Sequence, residues 1–346
     1  MWTPVNVDPR QQNIDKTLGI AGLTPMLTAK LDNSTYCNLN ICISNLQRSI
    51  PNGFDRYILG FWFEVFDEHV FLDVYRNNPS AEFVILTDLN ANDLAKFERV
   101  KVINLYHWRW FIKPAVDNHE ERKYKISSLS NRVTEYRAFV TSKLLGLDDV
   151  LVTWNAQFLN DHNVDYIFAA AGQPKRDALI EKINQLRQPI QAETFVNDPG
   201  QTLTASHPAY TQSLVNSINE TKDVCWHAEF GTLPGPYLTE KTWKPLINGN
   251  ALLFTGQFNT CATLQNLGFE FDYPWSNDYD SVPGDLERLE LVLDTIDHIL
   301  GMSFDHIQQG IQHSTRHNQN LINSGTVRKT VDRLNQAGLE QLAQYL

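Results

Sequence analysis

The sequence predicts an α/β protein with two domains and parallel sheets, and three observations predict it. Short apolar runs rich in β-branched and aromatic residues recur at 39–44, 57–63, 81–86, 100–105, 150–153 and 251–254, as expected of strands covered on both faces. Segments with helical spacing fall between and after them, and that alternation makes a parallel sheet whose ligands sit at the carboxyl ends of its strands. The chain's 346 residues exceed what one hydrophobic core usually sustains.

In chain order, residues 1–35 carry scattered Pro, Gly and Asn with little periodicity and read as irregular. The first four strand runs enclose a helix over 67–76. Arg132 to Leu145 is helical, with Val133, Tyr136, Val140 and Leu144 on one face and Gly146 placed to end it. A polar stretch at 170–205, with Pro174, Pro189 and Pro199 around a helix-like 177–187, marks an interdomain passage. Strand 223–228, helix 239–248, strand 251–254 and helix 259–267 follow. The clearest amphipathic helix is 285–300, where Leu286, Leu289, Val292, Ile296 and Ile299 share a stripe and Asp285 caps the start. Helices over 304–314 and 327–345 close the chain. The expected domains are residues 1–175 and 176–325, with the last helix, 326–346, packing back on the first.

The composition, 42% hydrophobic and 20% charged, is that of a globular protein. No apolar run approaches the roughly 20 residues that span a bilayer, and no basic-then-apolar leader opens the chain. A soluble, unexported protein with no membrane partner is expected. The four cysteines, Cys37, Cys42, Cys225 and Cys261, form no C-x-x-C pair and read as reduced thiols. A net charge of −11 argues against a protein that coats nucleic acid with its whole surface. Residues 101–143 depart from that balance, with nine Lys/Arg against four acids interleaved with Tyr106, Trp108, Trp110, Phe111 and Tyr124. Such a band either faces an anionic substrate or is an ordinary solvated face above buried aromatics.

The densest chemistry lies at Thr239-Glu240-Lys241-Thr242-Trp243-Lys244. Thr239 suits an N-cap after the loop Gly231 to Pro236, which turns the first-turn amides toward an anion. Glu240 and Lys241 then stand at the helix mouth, Trp243, Leu246 and Ile247 point to the core, and Gly249 permits the left-handed turn into the next strand. Taken without comparison, the same residues equally describe a stabilised helix end.

The run Tyr237-Leu238-Thr239-Glu240-Lys241-Thr242-Trp243-Lys244-Pro245-Leu246-Ile247-Asn248-Gly249-Asn250, followed by Ala251-Leu252-Leu253-Phe254, resembles the donor-binding motif of α1,3-fucosyltransferase-like enzymes. It is still more similar to glycosyltransferase-like proteins of bacteria and tailed phages. The likeness continues through Leu264 to Phe269, Tyr279-Asp280 and the 285–300 helix, and upstream in Lys123-Tyr124-Lys125-Ile126-Ser127-Ser128-Leu129-Ser130-Asn131-Arg132 with Arg137, about half the chain. The resemblance implies a GT-B architecture, two Rossmann-like domains facing a cleft, with the nucleotide sugar bound by the C-terminal one. It implies no metal and no cofactor beyond that co-substrate, and a cytoplasmic place in a bacterial or phage-infected cell. By position, Glu240 would bind the donor ribose or nucleotide and Lys241 its pyrophosphate, with Thr239 at the cap and Lys244 nearby, and Arg132 or Arg137 would close on the phosphates. Pro245, inside the helix, departs from a regular hydrogen-bond ladder.

The implied reaction is attack of an acceptor hydroxyl on the anomeric carbon, with a carboxylate or histidine of the N-terminal domain as general base if the enzyme inverts. Asp88, Glu64 and Asp67 follow the strand runs ending at Leu86 and Phe63, where such a base belongs, and Asp88 is preferred; each also fits a turn or cap. The acceptor is a glycan or, given the phage likeness and the basic band, a hydroxymethylated pyrimidine in DNA. The alternative is a non-catalytic nucleotide- or nucleic-acid-binding module of the same fold. Asp278-Tyr279-Asp280 matches the D-x-D of metal-dependent transferases but reads as a turn. His313 and His317, with His306 two turns earlier, fit a metal face but read as surface helix. No Gly-x-Gly-x-x-Gly, Gly-x-Ser-x-Gly or Walker A sequence occurs.

Overall fold

The computed structural model describes residues 22–39, 50–61, 68–88, 94, 97–117, 120–130, 135–144, 146–154, 207–218, 227–228, 231–232, 236 and 238–346. In chain order these form α1 (Leu23–Lys30), β1 (Thr35–Asn38), β2 (Arg56–Phe61), α2 (Glu68–Asn77), β3 (Glu82–Thr87), β4 (Val100–Asn104) and a 3-10 turn (His107–Phe111). Then come β5 (Tyr124–Ser130), α3 (Glu135–Leu144), β6 (Val150–Trp154), the single turn α4 (Pro208–Thr211), β7 (Ser213–Ile218), and β8 (His227–Ala228) against β9 (Gly231–Thr232). The rest is α5 (Glu240–Ile247), β10 (Ala251–Phe254), α6 (Thr260–Gln265), a 3-10 turn (Asp278–Ser281), α7 (Asp285–Gly301), α8 (Phe304–Asn323) and α9 (Thr326–Tyr345).

The chain divides into two compact units, one of residues 1–112, 226–235 and 328–346, the other of 113–225 and 236–327. The division at 112/113 differs from the expected one near 175, because β5 and β6 hydrogen-bond into the sheet that holds β7 and β10. The polar passage at 170–205 and its helix-like 177–187 lie outside the described residues.

In the first unit the described strands run β1-β2-β3-β4, each parallel to its neighbour. Side chains alternate across the sheet and supply two separate cores. Tyr57, Leu59, Phe83 and Ile85 pack with Phe71 and Val74 of α2, and Tyr57 stacks on Phe83 at 5.0 Å between ring centroids. Ile58, Val84, Leu86 and Ile103 face the other way, against Leu23 and Leu27 of α1 and Leu339 and Leu342 of α9. The N-terminal stretch expected to be irregular therefore holds a helix and a strand. Cys37 lies in this second core, where burial pushes its thiol up to about 12.

In the second unit the order is β10-β7-β5-β6, again parallel throughout. From β5 the chain steps outward through α3 to β6, and the later strands β7 and β10 add on the other side, so the strand order reverses between β5 and β7. Ligands in sheets of this kind bind outside the carboxyl ends of the strands at such a reversal. Neither central strand is an apolar run. Ser127 and Asn216 are paired in register, and the Asn216 amide donates to Ser127 Oγ at 2.7 Å, which in turn donates to the Ala209 carbonyl. Of the 223–228 strand expected from sequence, only 227–228 are described, and they form a separate antiparallel ladder with β9. The sheet strand is 213–218.

Among the described residues no helix is long and apolar enough to cross a membrane. The helix expected at 304–314 runs to 323, because Ile307, Ile311, Ser314, Thr315, Asn318 and Ile322 keep one buried face.

The docking of α9 allows no side chain at Gly338, where a Cβ would stand 2.5 Å from the Asn104 carbonyl oxygen at the end of β4 and 2.7 Å from Leu105 Cδ2. Gly338→Ala is expected to destabilise the first unit by about 1–3 kcal/mol despite alanine's better helix propensity, measured by urea unfolding; an unchanged or raised midpoint contradicts this packing.

Candidate functional site

Helix α5 begins where the sequence places it. The Thr239 hydroxyl accepts from the Lys241 amide at 3.2 Å, and the Thr239 carbonyl accepts from Thr242 N. At the other end Gly249 takes φ 68°, and a Cβ there would lie 2.9 Å from Gln319 Nε2, so the turn into β10 requires glycine. Joined to β10 by that short turn and packed on β10 and β7, α5 runs antiparallel to the strands. Its first turn therefore opens on the carboxyl edge of the sheet.

Glu240 and Lys241 stand in that turn with Nζ 3.9 Å from Oε1 and side chains 26% and 30% exposed respectively. Trp243, Leu246 and Ile247 are buried, Trp243 edge-on to Phe269 at 5.9 Å between centroids. Lys244 is separated from the mouth. It is buried and its ammonium lies over the Tyr210 ring, 5.7 Å from the centroid. Pro245 stays within a helix that continues to Ile247.

The opposite end of α5 is tied down by Arg122. Its guanidinium donates to the carbonyls of Tyr210 (2.7 Å), Ser213 and Asn248 (2.6 Å), joining the start of β7 to the end of α5. Burial lowers its pKa to about 10, offset in part by Glu120, so it is charged at neutral pH. The Asn250 amide donates to the Ser213 carbonyl as well, at 2.7 Å. Arg137 sits in the first turn of α3, directly beyond the carboxyl end of β5, and is only 4% exposed. Arg132, Glu64 and Asp67 lie outside the described residues.

In the first unit Asp88 follows β3, and its carboxylate pairs with Nδ1 of His107, both side chains being fully covered. His107 opens the 3-10 turn beyond β4, so the pair joins the carboxyl ends of adjacent strands. Helix α9 holds that turn: Arg109 makes a two-point contact with Asp332 (2.6 and 3.1 Å), and Asn335 clasps the Tyr106 backbone by accepting from its N–H (2.6 Å) and donating to its carbonyl (3.2 Å). Burial raises the Tyr106 phenol pKa; a bond with Asn104 opposes this and the Asp88 charge adds to it. Sequence reasoning missed His107. The available signal was its place two residues after an apolar strand run, the same relation that singled out Asp88.

The basic band divides between the units, and several of its charges have partners. Besides Arg109 and Arg122, Lys125 pairs with Asp149 at 3.0 Å, Lys143 with Asp297, and Lys101 lies over the Tyr345 ring. The D-x-D stretch is structural, since the Asp280 carboxylate accepts from the Cys261 and Ala262 amides at 2.9 and 3.1 Å and so caps α6. Cys37 and Cys261 are buried and unbridged. Among the described residues no three His, Cys, Asp or Glu side chains converge on one metal position. Comparison of the chain with family models, with curated proteins and with solved structures gives no match.

Arg122→Met would remove one donor from each of three carbonyls in a partly buried place, Ser213 alone keeping the Asn250 amide. A loss of about 3 kcal/mol or more is expected, with the second unit unfolding first in hydrogen exchange; a loss under 1 kcal/mol rules out this anchoring role.

Proposed function

We propose that the chain is a glycosyltransferase of the GT-B kind that takes its sugar from a nucleotide-sugar donor. The observation that carries this reading is the first turn of α5. It is capped by Thr239, opens on the carboxyl edge of a parallel sheet whose strand order reverses, and presents Glu240 and Lys241 partly exposed. A nucleoside diphosphate needs a carboxylate for its ribose hydroxyls and fixed cations for its pyrophosphate, and these two side chains are of those types. Lys241 and Arg137 would offset the charge that develops on the departing diphosphate. The likeness of residues 237–254 to fucosyltransferase-like and phage or bacterial transferases agrees with this assignment.

In the reaction an acceptor hydroxyl attacks the anomeric carbon and loses its proton to a base, while the donor's diphosphate departs. Asp88 orients His107 through Nδ1, the relation that prepares an imidazole for proton transfer. Because several cations of the 101–143 band are engaged within the protein, a carbohydrate acceptor is favoured over a hydroxymethylated base in DNA. The competing reading is a nucleotide-binding module without turnover. It draws on one observation, that the His107 and Asp88 side chains are 0% and 1% exposed.

Thermal unfolding with UDP, GDP, CMP, TDP and ADP tests the donor site. One nucleotide at about a hundred times its dissociation constant should stabilise the wild type by roughly 2.7 kcal/mol, and Lys241→Ala should remove most of that gain. Stabilisation by none of them, or an equal gain in the variant, contradicts the assignment. Transfer assays with the matching nucleotide sugars then separate enzyme from binder. His107→Ala is expected to lower kcat about a hundredfold or more while nucleotide binding persists, and a chain that binds but never turns over is the module.

A further inference from the structure

A cluster of two histidines and one carboxylate lies on the side of the fold where α8 meets the end of α5, away from Glu240 and Lys241. His313 and His317 are one turn apart on α8. The sequence shows no carboxylate beside them, but the fold supplies one. Glu270 lies with Oε2 3.4 Å from His313 Nε2 and Oε1 3.5 Å from His317 Nδ1. The Glu270 backbone is fixed against α8, its N–H donating to Asn318 Oδ1 and its carbonyl accepting from Asn318 Nδ2, both at 2.8 Å. Ser314 makes a similar pair of bonds to Asp272 at 3.1 Å. Gln319, two residues beyond His317, donates to the Ile247 carbonyl at the end of α5 (3.2 Å).

Three features distinguish this cluster from an ordinary surface contact. His317 Nε2 lies 2.9 Å from the Gly268 carbonyl oxygen, which can only accept, so Nε2 donates there and Nδ1 is the ring atom that faces Glu270. A backbone carbonyl holding the distal nitrogen of an imidazole is the usual outer-shell support of a metal-ligating histidine. Glu270 Oε2 is buried without a hydrogen-bond partner, a costly state for a carboxylate oxygen unless a cation meets it. The separations of 3.4 and 3.5 Å are long for hydrogen bonds. They are close to the roughly 3.3 Å between two ligand atoms that each stand about 2.0 Å from a tetrahedral zinc ion.

We propose that Glu270, His317 and His313 bind a divalent transition metal of the zinc class. Glu270 and His317 are the preset pair. As placed, the three side chains do not converge on one metal position; His313, whose side chain is 82% exposed, completes the set only by a side-chain rotation, and water fills the remaining position. Two imidazoles and one carboxylate favour zinc over magnesium or calcium, which prefer oxygen ligands. The ion staples the segment Gly268–Asp272 to α8 and raises the stability of the second unit.

The test uses the full chain freed of metal with a chelator and titrated with Zn2+ in competition with a chromophoric zinc indicator. One equivalent should bind, unaffected by a hundredfold excess of Mg2+. Glu270→Gln and His317→Ala should each weaken binding at least tenfold, while His306→Ala, seven residues from His313 on the same helix, should leave it unchanged. Without zinc, Glu270→Gln and His306→Ala should melt like the wild type and His317→Ala slightly below it, for want of its bond to Gly268; only the wild type and His306→Ala should gain stability on adding zinc. Co2+ in place of Zn2+ should show no thiolate charge-transfer band. Absence of zinc binding, binding that survives Glu270→Gln and His317→Ala, or a thiolate band overturns the proposal.

Discussion

Arg122 is the constraint on which the second unit depends. Parallel strands begin with carbonyls that need donors, and the last turn of a helix leaves carbonyls of its own. One guanidinium serves both needs by holding Tyr210 in α4, Ser213 at the start of β7 and Asn248 at the end of α5. That grip sets where α5 starts its return along the sheet, and so where Thr239, Glu240 and Lys241 emerge. Lysine would not replace it, since one ammonium cannot span three carbonyls in a fixed fork.

The two central strands follow a related rule. Ser127, Ser128, Asn216 and Ser217 are buried, which would be costly in an apolar sheet, but the Ser127–Asn216 pair lies in register and is closed by hydrogen bonds. A satisfied polar pair specifies register more strictly than two apolar side chains do. The strand-order reversal therefore lies between strands matched by polar complementarity.

Among the described residues, several charges pair within their own unit. The excess of cations at 101–143 becomes anchors for strands and turns: Arg122 on carbonyls, Lys125 on Asp149, Arg109 on Asp332. Among the described residues, Glu240 and Lys241 stay partly exposed in the first turn of the capped helix α5.

Much of the architecture was legible in the sequence, because apolar periodicity reports burial directly. The runs near 57–63, 81–86, 100–105, 150–153 and 251–254 are strands, and the helices at 239–248 and 285–300 are where the spacing puts them. The Thr239 cap and the Gly249 turn were equally readable, since each follows from one residue's own chemistry. Tertiary structure alone decided the rest. β5 and β7 are half polar and are recognised as strands only when each supplies the other's hydrogen bonds. The division at 112/113 depends on which sheet accepts β5 and β6, a long-range pairing that local pattern does not encode. Asp88 with His107, and Glu270 with His313 and His317, are meetings of side chains 19, 43 and 47 positions apart. Sequence by itself determined which segments are buried and where one helix starts and stops; the pairing of distant polar groups, which needs the folded chain to bring donors to acceptors, was settled only in three dimensions.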